Sequence, residues 1–155
     1  MTNTDSTKEL TLTRIFNAPR ELVWQAWTEQ RHIVAWWAPK GFTNPVCEWN
    51  AKPGDNILIH MQAPDGTIYP MDGSFTELIK PEKIVFKTAA LDKEGKRLFE
   101  QINTVTLTEQ GENTKLTLHV SFSKIKPEAE HYLDGAPTGW AQSLDKLAEL
   151  LKKIS

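Results

Sequence analysis

The feature that most constrains the fold is a long run of alternating apolar and polar residues, interrupted by short turns, across residues 44–122. Alternation with a period of two is typical of strands that bury one face of a sheet. Turn-forming residues separate the alternating segments, as in Pro64-Asp65-Gly66-Thr67. Consecutive strands joined by such short turns pair in antiparallel fashion. The run therefore predicts five or six strands in an antiparallel meander.

The residues on either side of the meander predict one more strand and three helical segments. Residues 10–16 alternate in the same way and predict a first strand. Pro19 suits the first turn of a short helix capped by Asn17 or Ala18, and a second short helix follows before Pro39. A final helix is predicted from about residue 138 to 153, after a short turn at 127–132 and a loop at 133–139. Its single apolar stripe consists of Trp140, Leu144, Leu147, Ala148 and Leu151.

This order of elements predicts how the chain packs. A sheet with one apolar face needs a cover, and the final helix is the element whose apolar stripe has the matching length. We therefore expect an α+β fold in which a curved antiparallel sheet wraps around the C-terminal helix. Residues 8–155 are expected to form one domain, and the small polar residues 1–7 are expected to be a disordered lead-in.

Composition narrows the classes of partner. The 155 residues carry a net charge of −2, which argues against nucleic acid as the main partner. The single cysteine, Cys47, excludes an intrachain disulfide and fits a reducing compartment. The N-terminus lacks the apolar core of a signal peptide, and no apolar run reaches the roughly 20 residues of a membrane span. We expect a cytoplasmic protein.

The sequence offers no recognisable catalytic or metal-binding motif. The four histidines do not pair at metal-ligand spacing, and no glycine-rich phosphate loop or nucleophile elbow is present. Cys47 has no evident base nearby and is interpreted as a structural thiol. We therefore expect no catalytic residue, no metal and no cofactor.

Other features point to a cavity beneath the helix, although a plain packed core would show the same residues. Gly73 lies among large inward-facing residues, and its missing side chain is expected to leave room. Arg14 and Glu77 are charged residues in the apolar phase of their strands. Each either extends toward solvent at the end of its strand or anchors the polar end of a ligand.

Tryptophan is concentrated near the N-terminus, where four of the six tryptophans lie between Pro19 and Pro39. Tryptophan is large and carries one N–H that needs a partner, so such a stretch forms either an aromatic core or the rim of a cavity. The helical spacing favours a core position for Trp27. It leaves Trp36 or Trp37 as the better rim candidate.

Ordered segments along nearly the whole chain resemble one known family. They are Thr13-Arg-Ile-Phe-Asn-Ala-Pro-Arg20, Val23-Trp24, Trp27-Thr28, Trp36-Trp37-Ala-Pro-Lys-Gly-Phe42, Lys52-Pro53-Gly54, Met61, Pro64-Asp65-Gly66, Gly73-Ser-Phe75, Pro81-Glu-Lys-Ile-Val-Phe86, Thr114-Lys-Leu-Thr117 and Gly139-Trp140-Ala-Gln-Ser-Leu144. The chain resembles the activator of Hsp90 ATPase homologue-like domain of the START-like (SRPBCC) superfamily. It departs from the family at Lys52-Pro-Gly-Asp55, where members often carry Arg-Pro-Gly-Gly.

The resemblance implies a helix-grip (Bet v 1-like) fold with six or seven strands and a cavity that takes apolar molecules. The leading hypothesis is non-catalytic binding of a small apolar or aromatic ligand. The alternatives are a protein-interaction module of the chaperone-accessory type and, third, a cyclase or hydrolase that uses Arg14, Glu77 or Tyr69. The resemblance also leaves a homodimer open, although no pattern in the sequence supports one. The predicted ligand-binding residues are Trp27, Trp36, Trp37, Met61, Tyr69, Met71, Phe75, Phe86, Trp140, Arg14 and Glu77.

Overall fold

The computed structural model describes residues 8–154, so the predicted lead-in at 1–7 lies outside the described residues. Seven strands form one antiparallel sheet in the order β1-β7-β6-β5-β4-β3-β2. This confirms the predicted α+β fold, a curved antiparallel sheet with a C-terminal helix. The strands are β1 (Lys8–Phe16), β2 (Thr43–Trp49), β3 (Asn56–Gln62), β4 (Ile68–Ile79), β5 (Lys83–Leu91), β6 (Arg97–Gln110) and β7 (Asn113–Ser123).

The helices lie between β1 and β2 and after β7. Between β1 and β2 the chain forms α1 (Arg20–Thr28) and α2 (Gln30–Trp36). After β7 a short 3₁₀ turn, Pro127–Ala129, leads into α3 (Glu130–Asp134) and the long α4 (Ala136–Ile154). The first strand returns to the far edge of the meander, because β1 pairs with β7 along its whole length.

The inner face of the sheet and the stripe on α4 form the core. In β7, for example, Leu116, Leu118 and Val120 are fully buried while the residues between them are partly exposed. This is the alternation expected of a strand with one buried face. From α4, Leu144 and Leu147 are fully buried against the same cluster. The sheet and α4 thus share one apolar interior.

The boundaries of two helices differ from the sequence-based expectation. Pro19 itself is the N-cap residue of α1, with extended backbone and no side-chain cap, so the prediction of Asn17 or Ala18 as cap is wrong. Helix α4 begins at Ala136, two residues earlier than expected. Pro137 explains the earlier start, because a proline fits the first turn of a helix, where its missing N–H is not needed.

Gly73 has a different role from the one expected. A Cβ atom at this position would lie 1.9 Å from the backbone oxygen of Lys87 on β5. The missing side chain therefore lets β4 approach β5 closely, as glycine does where two backbones meet. The space expected at Gly73 for a ligand is filled by the neighbouring strand.

Two tryptophan side chains complete the C-terminal end of α1. The last carbonyls of a helix lack partners within it. The indole Nε1 of Trp36 donates to the Ala26 oxygen at 2.9 Å, and the indole Nε1 of Trp49 donates to the Trp27 oxygen at 2.8 Å. Both rings are buried. These bonds fix α1 against α2 and β2, and so they fix the segment that follows α2.

Across residues 8–154, none of the helices combines the length and the hydropathy that crossing a membrane requires.

Candidate functional site

A cavity of about 400 Å³ lies between the inner face of the sheet and the C-terminal helices. Strands β3 to β6 supply one wall, α3 and α4 supply the opposite wall, and the segment 37–42 supplies a third side. The residues that line it are Trp37, Ala38, Pro39, Phe42, Met61, Tyr69, Pro70, Met71, Ala90, Leu91, Leu98, Phe99, Gln101, His131, Tyr132, Gly135, Ala136, Gly139, Trp140 and Ser143.

Five of the ligand-binding residues predicted from the sequence line this cavity. They come from separate parts of the chain and meet because the sheet curls toward α4. Trp37 and Trp140 face each other with ring centroids 5.2 Å apart in an edge-to-face arrangement. The other three are Met61, Tyr69 and Met71, on β3 and β4. Their part in binding a ligand stays a prediction, but the structure brings them together.

Four predicted aromatic residues lie behind the wall and do not line the cavity. Trp27, Trp36, Phe75 and Phe86 are at most 2% exposed. The indole N–H of Trp36 is held by the Ala26 carbonyl, which turns this ring into the core. Trp27 packs edge-on against Trp36 at 4.6 Å and lies behind Trp140 at 6.4 Å. These four residues form a second aromatic layer that supports the cavity wall.

Arg14 and Glu77, the predicted polar anchors, also lie off the cavity wall. Arg14 reaches from β1 to α4, where its Nη1 lies 2.7 Å from Asp145 Oδ1 and its Nη2 donates to the Ala141 oxygen. Glu77 pairs with Lys83 at 3.3 Å. A β-bulge between Phe75 and Glu77 shifts the register of β4, so alternation counted from Phe75 misplaces Glu77.

The polar residues that do belong to the interior of the sheet were missed by the sequence analysis. Gln101 lines the cavity, and Thr88 and Asn103 are buried next to it in the sheet. Thr88 lies opposite Gln101, and Phe86 lies opposite Asn103. All three polar residues are in the inward phase of β5 or β6, so the signal was present. Thr88, Gln101 and Asn103 are called the polar cluster below.

Hydrogen bonds connect the polar cluster into a chain. Asn103 Nδ2 donates to the Phe86 oxygen at 3.2 Å and to Thr88 Oγ1 at 3.1 Å. Thr88 Oγ1 in turn donates to Gln101 Oε1 at 3.5 Å. Asn103 Oδ1 is buried and has no partner among the described residues. Leaving such a group unpaired costs about 1–3 kcal/mol.

The cavity wall has no permanently charged side chain among its described residues. Among the described residues that line it, none is Asp, Glu, Lys or Arg. Burying an isolated charge in such surroundings costs several kcal/mol unless a partner is present. The wall therefore suits a neutral molecule better than an ion.

The segment 37–42 is held in place by polar contacts behind the wall. Ala38 has a φ of 82°, a left-handed conformation that is uncommon outside glycine. Lys146 Nζ on α4 donates to the oxygens of Trp37 at 3.3 Å and Ala38 at 3.1 Å. Asn44 Nδ2 donates to the same Trp37 oxygen at 2.8 Å. These bonds order the backbone that carries the Trp37 ring. Burial lowers the pKa of Lys146.

Aromatic side chains surround the exposed end of the cavity. Tyr132 on α3 is 40% exposed, and its ring lies edge-on to that of Tyr69 on β4 at 6.3 Å. The Phe42 ring also contacts Tyr69, with ring centroids 6.1 Å apart. The His131 ring lies beside that of Tyr132, with ring centroids 4.1 Å apart and the planes tilted by 37°. Rings from three separate segments therefore lie close together at this part of the cavity.

Solved structures of bacterial proteins share this fold over nearly the whole chain. A protein of Chromobacterium violaceum is 27% identical, with a TM-score of 0.79, over 92% of this chain and 96% of its own. A protein of Mycobacterium smegmatis is 26% identical, with a TM-score of 0.77, over 92% of this chain and 90% of its own. The AHSA1 protein of Silicibacter pomeroyi is 22% identical and shows the same fold, with a TM-score of 0.82, over 96% of this chain and 100% of its own.

The sequence itself matches one family model. A search of curated proteins found no significant match. The model of the Activator of Hsp90 ATPase homolog 1-like proteins matches residues 17–152, which include α1, α2, six of the seven strands, α3 and most of α4. The chain therefore belongs to the Activator of Hsp90 ATPase homolog 1-like family.

Proposed function

We propose that the protein binds a small, neutral, largely apolar molecule in the cavity between the sheet and α4, without converting it chemically. The observation that carries this proposal is the cavity itself, about 400 Å³ in volume with a largely apolar lining free of Asp, Glu, Lys and Arg among the described residues. This volume falls within the roughly 300–1,000 Å³ of typical small-molecule sites.

The two-layer construction of the wall supports a preformed site. Trp37 and Trp140 face the cavity, while Trp27 and Phe86 pack behind them. Trp37 and Trp140 present apolar surface to a ligand. The buried rings of Trp27 and Phe86 limit the movement of these two side chains. A rigid wall loses little conformational freedom on binding, which favours affinity. Met61 and Met71 add adaptable apolar surface to the opposite wall.

The same observations favour a small ligand over a protein partner. A protein-interaction site is marked by a contiguous exposed apolar patch. The large exposed apolar residues belong to different elements, among them Ile15 on β1, Val34 on α2 and Ile102 on β6. The concentration of aromatic side chains is instead found around the cavity. Binding to an Hsp90-type chaperone, which the family description suggests, is measured separately by calorimetry.

The proposal is tested by titrating the protein with neutral apolar probes. Decalin does not absorb at the wavelengths of tryptophan, so its binding is followed by the intrinsic tryptophan emission of the protein, to which Trp37 and Trp140 at the cavity contribute. Isopropylnaphthalene is followed by calorimetry. We expect saturable binding of at least one probe at one site per chain. A complete absence of saturable binding by both probes would contradict the proposal.

A variant that fills the cavity supplies the structural control. Ala90 lines the cavity from β5, so Ala90→Phe places a ring in the space that the ligand needs. We expect this variant to weaken probe binding by about tenfold or more while it stays folded, since an occupied site offers no room for the probe. Ala35→Phe makes the same change at an exposed position on α2 and is expected to leave binding unchanged.

A further inference from the structure

The side chains of the polar cluster form a series of hydrogen bonds that ends at the cavity. The backbone carbonyl of Phe86 determines which atom in this series donates and which accepts. The Phe86 carbonyl can only accept, so the side of Asn103 that faces it must be the Nδ2 donor, as observed at 3.2 Å. The opposite orientation of the amide would place two oxygens against each other. The same Nδ2 donates to Thr88 Oγ1. Asn103, which is buried in the sheet, therefore makes the Thr88 hydroxyl oxygen a hydrogen-bond acceptor.

Thr88 connects Asn103 to Gln101 at the cavity surface. Because its oxygen accepts from Asn103, the hydroxyl proton of Thr88 is available to Gln101, and Gln101 Oε1 is the atom that it meets. The structure accordingly places the oxygen of the Gln101 amide toward Thr88, at 3.5 Å from Oγ1. The amide Nε2 makes no hydrogen bond to any of residues 8–154, and it is not among the buried unpartnered atoms. Gln101 lines the cavity, so this N–H donor is the free end of the chain.

We infer that the ligand is a neutral apolar molecule that carries a hydrogen-bond acceptor, such as a ketone, ester or ether oxygen, and that Gln101 Nε2 donates to it. This inference rests on the proposed function, because it names the chemical class of molecule that the same cavity takes. A neutral acceptor satisfies the free N–H without bringing a charge into a wall that has no counter-charge among its described residues. Thr88 acts as a positioning residue, since it holds the Gln101 amide in the donating orientation.

Two matched probes test the inference. Methyl naphthyl ketone and isopropylnaphthalene have the same ring system and the same number of heavy atoms, and they differ by a carbonyl oxygen in place of a methyl group. The quantity measured by calorimetry is the ratio of their two dissociation constants. Gln101→Met removes the donor and keeps the length of the side chain. Gln110→Met makes the same change at an exposed position on the same strand.

We expect Gln101→Met to reduce the preference for the ketone by about three- to tenfold, the usual range for one hydrogen bond, and Gln110→Met to leave it unchanged. Thr88→Val should also reduce the preference, because the Gln101 amide is then free to turn. A purely structural role of Thr88 would instead weaken both probes equally. An unchanged preference in Gln101→Met, with both probes still bound, would overturn the inference and leave the proposed function standing. If neither naphthalene probe binds the wild-type protein, the inference is overturned, and the proposed function is overturned with it only if decalin also fails to bind.

Discussion

Arg14 on β1 and Asp145 on α4 form an ion pair, 2.7 Å between Nη1 and Oδ1, that joins the edge of the sheet to the C-terminal helix. The second guanidinium nitrogen donates to the Ala141 oxygen, so Arg14 holds two points on α4. The Asp145 side chain is 68% exposed, and water screens the pair. The contribution of Arg14 is therefore structural and moderate, and it acts outside the cavity.

This arrangement predicts that Arg14→Met lowers the free energy of unfolding by about 1 kcal/mol. Asp145→Asn should cost less, because the bond to the Ala141 oxygen remains. Probe affinity should not change in either variant. Chemical denaturation and calorimetry measure the two quantities. A large loss of affinity in Arg14→Met at unchanged stability would instead support Arg14 as the ligand anchor that its position in the sequence suggested.

Trp36 and Trp27 are both fully buried, yet they differ in whether the indole N–H has a hydrogen-bond partner. Trp36 Nε1 donates to the Ala26 oxygen, whereas Trp27 Nε1 has no partner among the described residues. Trp36→Phe should therefore lower the free energy of unfolding by about 3 kcal/mol, since it loses ring volume and leaves a helix-end carbonyl unpaired. Trp27→Phe loses only volume and removes an unpaired donor.

We expect Trp27→Phe to cost about half as much as Trp36→Phe. Equilibrium unfolding in urea, followed by circular dichroism, compares the two variants directly. Equal losses would show that the bond to Ala26 contributes nothing and that ring volume alone matters at both sites.

Gly73 is predicted to be intolerant of any side chain. Gly73→Ala would place its Cβ 1.9 Å from the backbone oxygen of Lys87, and a backbone atom cannot move aside as a flexible side chain can. We expect a loss of about 3 kcal/mol, at the upper end of the range for overpacking. Gly135→Ala is the control, since its Cβ would meet nothing nearer than 3.8 Å. Thermal unfolding of both variants measures the difference, and equal stability would contradict this account of the β4–β5 approach.

The strands could be predicted from the sequence because each has one buried face, and alternation reports burial directly. The first and last residues of each strand were harder to predict. The alternation predicts a strand at 102–109, but strand β6 begins at Arg97, five residues earlier. The extension carries Leu98, Phe99 and Gln101 to the cavity. Strand length depends on pairing with β5, which a single segment does not reveal.

The candidate site was predicted only in part, for physical reasons that lie outside local pattern. The bulge after Phe75 shifts Glu77 out of phase, and nothing in the alternation marks a bulge. Trp36 and Trp37 are adjacent, and which of them faces the cavity depends on the Ala26 carbonyl, ten residues earlier in the chain. Thr88 and Gln101 are inconspicuous one at a time. Their significance arises only when β5 and β6 place them opposite each other.

Cys47 is predicted to react slowly with alkylating reagents. Burial raises the pKa of its thiol from 9.0 to about 11, so the reactive thiolate is about 100-fold scarcer than in an exposed cysteine at a pH of about 8. Iodoacetamide should therefore modify the folded protein about 100-fold more slowly than the chain unfolded in urea. The unfolded chain serves as the internal control. Similar rates in the two states would contradict the partial burial of this thiol.

The partial burial of Lys146 predicts that the free energy of unfolding depends on pH. Burial lowers the pKa of its ammonium group below the ordinary 10.5. Between the lowered folded pKa and 10.5, the unfolded chain binds more protons than the folded chain, so this group makes stability rise with pH across that window. Below the window the ammonium stays charged in both states and its desolvation opposes folding. Above the window the neutral amine still donates to the oxygens of Trp37 and Ala38.

Lys146→Met removes both the titration and the two hydrogen bonds. The wild-type protein should therefore gain stability relative to this variant as the pH rises toward 10.5, because the wild-type amine loses its desolvation penalty and the variant has none to lose. Lys153→Met, at an exposed position on the same helix, controls for the loss of a positive charge from α4. Urea unfolding of all three proteins at a series of alkaline pH values measures the difference. A wild-type stability that falls relative to Lys146→Met as the pH rises would show that Lys146 is not desolvated in the folded protein.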